Sequence, residues 1–225
     1  MSLVDYASAA RRRPVNWRRF SFQPGLWLAW SVMTVAGLMA FAPQWFTAFN
    51  PLDGIAGAQR LAPQAGHWLG TDQLGRDVWS RIVYGAGHSL SAALAAVAMG
   101  LVAGTALGTV AGALGGRVEA VVMRLVDILL AIPSLLLSLT VIILLGFGTL
   151  NAAMAVGVAA IASFARLSRA EVVRIRHSDY VEAAYGSGGT FLSVFWRHIL
   201  PNSLSPVLAF ATLQFGQAIL ALSTL

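Results

Sequence analysis

An all-α membrane bundle with several spans is the fold class this sequence predicts, and three observations predict it. Hydrophobic residues make up 57% of the 225-residue chain and charged residues only 11%, where a soluble domain of this size carries about 25% charged residues. The mean hydropathy is +0.72. Four stretches, 25–46, 89–116, 128–165 and 203–225, contain no ionisable residue, and each is long enough for at least one crossing at ~20 residues per helix.

Composition also removes whole classes of chemistry. The chain has no cysteine, hence no disulfide framework and no thiolate metal site. It has no lysine, and all fifteen basic residues are arginine. A P-loop is thereby excluded, because its lysine must reach the β- and γ-phosphates. Any ATP used in transport is hydrolysed on another chain. The pI near 11 points to arginines at span ends under the positive-inside rule, not to nucleic acid.

Taken in order, residues 1–24 form a basic cytoplasmic N-terminus with Arg11, Arg12, Arg13, Arg18 and Arg19 against the single acid Asp5. The first span covers 25–46 with tryptophans near both ends, as an interfacial belt requires. Ala40-Phe41-Ala42 has the look of a signal-peptidase site, but Pro43 follows at once and the span reads as uncleaved. Residues 47–87 are a polar outer loop in which Arg60, Arg76 and Arg81 balance Asp53, Asp72 and Asp77. The second span, 89–116, places Gly100, Gly104, Gly108 and Gly112 on one ridge, the small-residue pattern for close helix packing. The run 128–165 is too long for one crossing and divides at Gly146–Asn151. This gives a third span ending near Leu145, kinked at Pro133, and a fourth from about Leu150 to Ala165. Asp127 is expected to pair with Arg124 on the same helical face.

Residues 166–202 form an inner elbow. Asp179 and Glu182 are spaced as N-cap and N3 of a capping box, so a short helix is expected from Asp179 until Gly186, Gly188 and Gly189 stop it. A second short helix is expected from about Thr190 to Ile199, closed by Pro201. Glu182 either bonds the elbow's own backbone or faces a partner. The fifth apolar run continues to Leu225 without a polar tail, and we read the sequence as a fragment lacking at least one further span. Twelve arginines fall on the inner side of this topology and three on the outer, which sets the N-terminus inside. His67 and His88, twenty-one residues apart, are too sparse for a metal site.

Two stretches carry a resemblance. Residues 67–81, His67-Trp68-Leu69-Gly70-Thr71-Asp72-Gln73-Leu74-Gly75-Arg76-Asp77-Val78-Trp79-Ser80-Arg81, resemble the outer-loop signature of the second permease in bacterial ATP-binding-cassette importers of the dipeptide, oligopeptide and nickel type. Glu182-Ala183-Ala184 with Gly188, then His198-Ile199-Leu200-Pro201-Asn202, is similar to the EAA loop of the same permeases. Met123–Asp127 followed by Ala131-Ile132-Pro133 is a weaker similarity. The resemblance spans roughly 26–225. It departs from the family at Gly87-His88, where an arginine is usual, and at Tyr185-Gly186-Ser187, which favour helix less.

This resemblance implies a type I importer permease fold of six spans in the bacterial inner membrane. It further implies a second homologous permease, two ATPase subunits carrying ATP and Mg, and an extracytoplasmic substrate-binding protein. Under it, Asp179, Glu182, Ala183, Ala184, Gly188, His198 and Pro201 are the ATPase-coupling residues. Gly70, Thr71, Asp72, Gly75, Arg76, Asp77 and Arg81 form a loop that shapes the outer mouth or meets the binding protein, set against a merely salt-bridged loop. Peptides are the expected substrate, with nickel or a metal chelate as alternatives. The competing class is an ATP-independent channel or secondary carrier. Carriers place ionisable or broken-helix sites at mid-membrane, and no mid-span charge occurs in spans one, two, four and five.

Overall fold

The computed structural model describes residues 24–225, so the basic N-terminus read at 1–24 lies outside the described residues except for Pro24. Helix α1 runs Pro24–Phe41, shorter than the expected 25–46 because Pro43 opens a separate 3₁₀ turn at Pro43–Trp45. Helix α2 covers Val78–Met99. It passes through a wide π turn, Gly100–Gly104, into α3, Thr105–Leu114. Then come α4 (Gly116–Ala131), α5 (Ser134–Leu145) and α6 (Thr149–Arg176). The inner elbow holds α7 (Asp179–Gly186) and α8 (Phe191–Val194). A second π turn, Phe195–Ile199, leads into α9, Leu200–Thr224. Among the described residues the only extended pairings are two isolated bridges, and the fold is an all-α polytopic bundle. Four helices are long and apolar enough to cross a membrane, and the bent pair α4–α5 makes a fifth candidate.

Several boundaries differ from the sequence reading, each for a physical reason. The second span begins at Val78, not Ser89. The Asp77 carboxylate accepts a hydrogen bond from the Ser80 amide at 2.7 Å and caps the helix there, so the outer loop ends at Asp77 instead of residue 87. The continuous α2–α3 unit has 37 residues, about 55 Å at 1.5 Å per residue, and extends beyond the ~30 Å hydrocarbon core. The fourth span likewise continues to Arg176, carrying Arg166, Arg169 and Arg174 on helix rather than in the 166–202 loop. Pro133 does more than kink the third span: α4 and α5 meet at 92°, because the residue before a proline is driven to extended backbone. Ile132 has φ −89° and ψ 128°.

The bundle is built around α6. Its core is made largely of small residues, Ala92, Ala93, Ala96 and Val97 of α2 against Ala153, Val156 and Phe164 of α6, with Val207 and Ala218 of α9. Against the same helix lies the glycine ridge. A Cβ on Gly100 would sit 2.7 Å from that of Ala160, and one on Gly112 would sit 2.9 Å from that of Val172. At Gly104 and Gly108 the obstruction is backbone, the carbonyl oxygens of Ile161 and Ala165. Glycines four apart drift about 40° per step on an α-helix of 3.6 residues per turn. The wider i→i+5 turn at 100–104 advances less per residue and takes back part of that drift, keeping the ridge on one line.

Because the neighbour at Gly108 is backbone and cannot rotate away, Gly108→Ala is expected to cost about 1–3 kcal/mol by overpacking. Gly216→Ala, at a helix position where an added Cβ meets nothing within 4 Å, is expected to be neutral or slightly stabilising. Thermal unfolding of the two variants in detergent checks the contrast.

Candidate functional site

The residues singled out by sequence fall into two groups, at opposite ends of the long α2–α3 helix. At its N-terminal end the loop is ordered by Thr71, Asp72 and Asp77. The Thr71 hydroxyl, buried, accepts from the Leu61 amide at 2.9 Å and donates to the Ala58 carbonyl. Asp72 accepts from the Leu74 and Arg76 amides at 2.8 and 3.0 Å, from Arg76 Nε at 2.8 Å, and from Arg81 at 2.5 Å. Asp77 takes Ser80 and, at 2.9 Å, His67 Nδ1. Gly70 and Gly75 have φ of +72° and +75°, and each lies against backbone, at Leu61 and Ile55. A side chain at either position would meet both strain and a carbonyl. Trp79 anchors the assembly by donating from Nε1 to the Phe46 carbonyl at 3.0 Å.

Burial alone would raise the Asp72 pKa, but the two amide bonds and the Arg76 guanidinium outweigh it and hold the carboxyl at about 2. Asp77 is also lowered: burial opposes the shift, while Ser80 and His67 produce it. A depressed carboxylate stabilises the fold above its unfolded value near ~3.9 and loses that contribution as pH falls through its folded value. Loop 54–76 is therefore expected to resist pepsin at pH 4 and to open as pH approaches 2. In Asp72→Asn it is expected to be cut already at pH 4. Equal cleavage of the two proteins at pH 4 would refute the role of Asp72.

At the other end is the elbow. Val181 of α7 and Val194 of α8 are buried with Ile199, Val172, Ile175 and Ala113 in one apolar cluster, so the elbow is seated on the C-terminal ends of α3 and α6. Arg176 donates to the Ala113 and Gly112 carbonyls at 3.1 and 3.4 Å, satisfying acceptors that a helix C-terminus leaves free. Arg169 holds Glu119 with Nε at 2.6 Å, tying α4 to α6. Arg166 pairs with Asp127. The expected Arg124–Asp127 pair is thus replaced, because α6 brings a guanidinium across to Asp127.

The capping box is also corrected. Ser178, not Asp179, is the N-cap, and its hydroxyl donates back to the Ile175 carbonyl without capping the helix. Asp179 and Glu182 lie in the first turn, where their charge suits the helix dipole, and both are exposed. Gly188, φ +89°, reverses the chain, its amide bonding the Tyr185 carbonyl at 2.9 Å. Gly189, expected with Gly186 and Gly188 to stop the helix, is the crowded one: a Cβ there would sit 2.7 Å from both the Ala184 carbonyl oxygen and Val194. The second elbow helix is not closed by Pro201. It continues through the π turn into α9, which carries Pro201 in its first turn. Proline is tolerated there, and the widened turn before it relieves the clash with the preceding carbonyls. His198 lies near the α7 helix, its ring 6.4 Å from that of Tyr180. Asp179, Tyr180, Glu182, Ala183 and Tyr185 form the exposed face, while Ala184 packs inward against the cluster.

Arg169, Arg176 and Ser178 make contacts at this end that the sequence reading did not single out. Their signal was positional: each falls where an apolar helix meets the elbow.

Comparison with known proteins places this geometry. Residues 104–225, just over half of the chain, match the family of binding-protein-dependent transport system inner membrane components. The chain belongs to that family. It is 37% identical over its whole length to a probable D,D-dipeptide transport system permease protein of Escherichia coli, DdpC, covering 78% of that protein. It is 40% identical to the dipeptide transport system permease DppC of Alkalihalophilus pseudofirmus, over 78% of this chain and 56% of that one. It is 34% identical to the glutathione transport system permease GsiD of Pectobacterium atrosepticum, over 93% and 70% of the two chains. This inner-membrane component is a multi-pass transport subunit and not an enzyme, and its membership in a binding-protein-dependent transport family decides against the channel and carrier readings.

Proposed function

We propose that this permease chain forms half of the translocation pathway of an ATP-driven importer of di- and oligopeptides. A second homologous permease supplies the other half. Two ATPase subunits carry ATP and Mg, and an extracytoplasmic binding protein delivers the solute. Substrate class is supported by the names of the relatives, which specify D,D-dipeptide, dipeptide and glutathione transport. Nickel or a metal chelate is the second choice. No group of three or more metal-ligating side chains occurs among the described residues, although selectivity in such a system resides chiefly in the binding protein.

The observation that carries the mechanism is the seating of the elbow. Its apolar side is fixed to α3 and α6 through Val181, Val194 and Ala113, and its other side, with Asp179, Glu182 and Ala183, is exposed. A short helix held in this way transmits a rigid displacement of an ATPase subunit to the spans. Glu182 then faces the ATPase. The loop with Asp72, Arg76 and Arg81 meets the binding protein at the outer mouth. The arginine asymmetry orients the N-terminus to the cytoplasm.

Purification of the tagged protein in mild detergent is expected to recover a second permease and P-loop ATPases, and recovery of the chain alone would reject the assembly. Gly188 gives a sharper test. A Cβ there meets nothing within 4 Å, so the constraint is its φ alone. Gly188→Val is expected to leave the chain inserted and reduce peptide uptake at least tenfold. Gly188→Asn, which tolerates the left-handed region, is expected to retain most uptake. Normal uptake by the valine variant would sink the coupling role.

A further inference from the structure

Between α2, α5, α6 and α9 lies a cavity of about 160 Å³. Its lining differs from the rest of the bundle. Ser134 and Ser138 enter from α5, Ser163 from α6, and Gln214 and Gln217 from α9, with no charged group and otherwise mostly alanine. Gln214 and Gln217 are three apart and share a helix face. Gln214 is 9% exposed, yet its carboxamide makes no hydrogen bond to a protein group among the described residues. Ser138 reaches only the Ala155 carbonyl, at 3.4 Å. The buried side-chain atoms without a partner among the described residues are Thr105 Oγ1 and Ser168 Oγ, so the Gln214 carboxamide opens onto the cavity and must find its partners there. The cavity is polar and roomy enough for several waters to meet that need at rest. What the chain maintains here is a set of neutral hydrogen-bonding groups, open and unspent, inside apolar spans.

We infer that this cavity is a contact site for the amide backbone of the transported solute. The inference rests on the peptide-importer reading above. A carboxamide offers two donors and an acceptor, and a hydroxyl offers both functions. Together they match the N–H and C=O groups that every peptide presents, whatever its side chains. The absence of charge matters equally. A guanidinium or carboxylate would hold a peptide terminus firmly, whereas passage requires binding weak enough to release. The volume falls below the ~300 Å³ of a drug-sized pocket, so the site takes one peptide unit at a time.

The chain contains no cysteine, which makes the test direct. Gln217→Cys and Ser163→Cys are introduced singly into the full importer with its own partner subunits. Labelling of this chain by a charged methanethiosulfonate is followed by mass spectrometry during ATP turnover, with and without saturating trialanine. Both positions are expected to label, and trialanine to slow labelling at least fivefold. Leu52→Cys, in the loop between α1 and α2, outside the cavity and 77% exposed, serves as the control whose labelling trialanine leaves unchanged. No labelling, or labelling indifferent to trialanine, overturns the inference, the latter marking a cavity that holds water only. Gln214→Leu is expected to lower trialanine uptake about tenfold while Gln214→Asn retains most of it, and full uptake by the leucine variant also overturns it. Absence of trialanine uptake by the unsubstituted importer overturns the peptide reading and this inference together. Uptake without protection overturns this inference alone.

Discussion

Everything else in the bundle depends on the approach of α2–α3 to α6 at backbone distance. In a bilayer the lipid tails are as apolar as leucine, so helices gain little by hiding apolar surface from their surroundings. Association must come from close van der Waals contact, and contact is closest where side chains are missing. Gly100, Gly104, Gly108 and Gly112 supply that absence over four successive turns, with Ala160, Ala165 and Val172 opposite. The alanines of α2 and α6 extend the seam toward the N-terminal part of α2. The π turn at 100–104 belongs to the same device, since without it the ridge would rotate off the partner helix.

Arginine serves two ends in this chain. As bare charge it biases which loops stay on the inner side. In the folded chain several of the same residues are structural ties. Arg169 binds Glu119, Arg166 binds Asp127, and Arg176 closes the carbonyl end of α3. Arg174 stays within its own helix, with Glu171. The planar guanidinium suits this dual use: it stays charged and reaches two acceptors at once. Arg176 meets the Gly112 and Ala113 carbonyls from one nitrogen, Nη1.

The number and kind of helices were legible because a charge-free run is a direct statement about lipid. Helix ends were less so, for hydropathy reports the solvent and not the hydrogen bonding. Asp77 starts α2 eleven residues before the charge-free run, and α6 carries its arginines a further three turns beyond the end of its own charge-free run. Local rules failed where tertiary structure supplied an alternative. Pro201 reads as a stop, but a widened turn lets the helix through. Asp179 reads as a cap, but Ser178 takes that position one residue earlier. The outer loop's residues were readable as a pattern, while the reason for Thr71, a buried hydroxyl joining two loop segments, needs the fold. Gln214 was not legible because, among polar side chains within the spans, the reading turned on ionisable ones, and a neutral amide in hydrocarbon is itself a costly choice.

One continuous helix of 37 residues links the loop that Asp77 closes to the elbow. Asp77 fixes its beginning within the outer loop, and Ala113 and Arg176 fix its end to the elbow. Between them lie Ala96 and Val97, which form part of the wall of the polar cavity. The places where the chain can yield are elsewhere: the 92° break at Ile132–Pro133, and the π turn and prolines at the start of α9. These two yielding elements carry Ser134, Ser138, Gln214 and Gln217, whereas α2 and α6, with Ser163, form the cavity's stiff side. On the importer reading, a displacement entering at the elbow leaves the glycine seam intact and is taken up by α5 and α9. The cavity would then open and close between a fixed wall and a moving one, which gives the elbow a direct mechanical route to the groups that meet the solute.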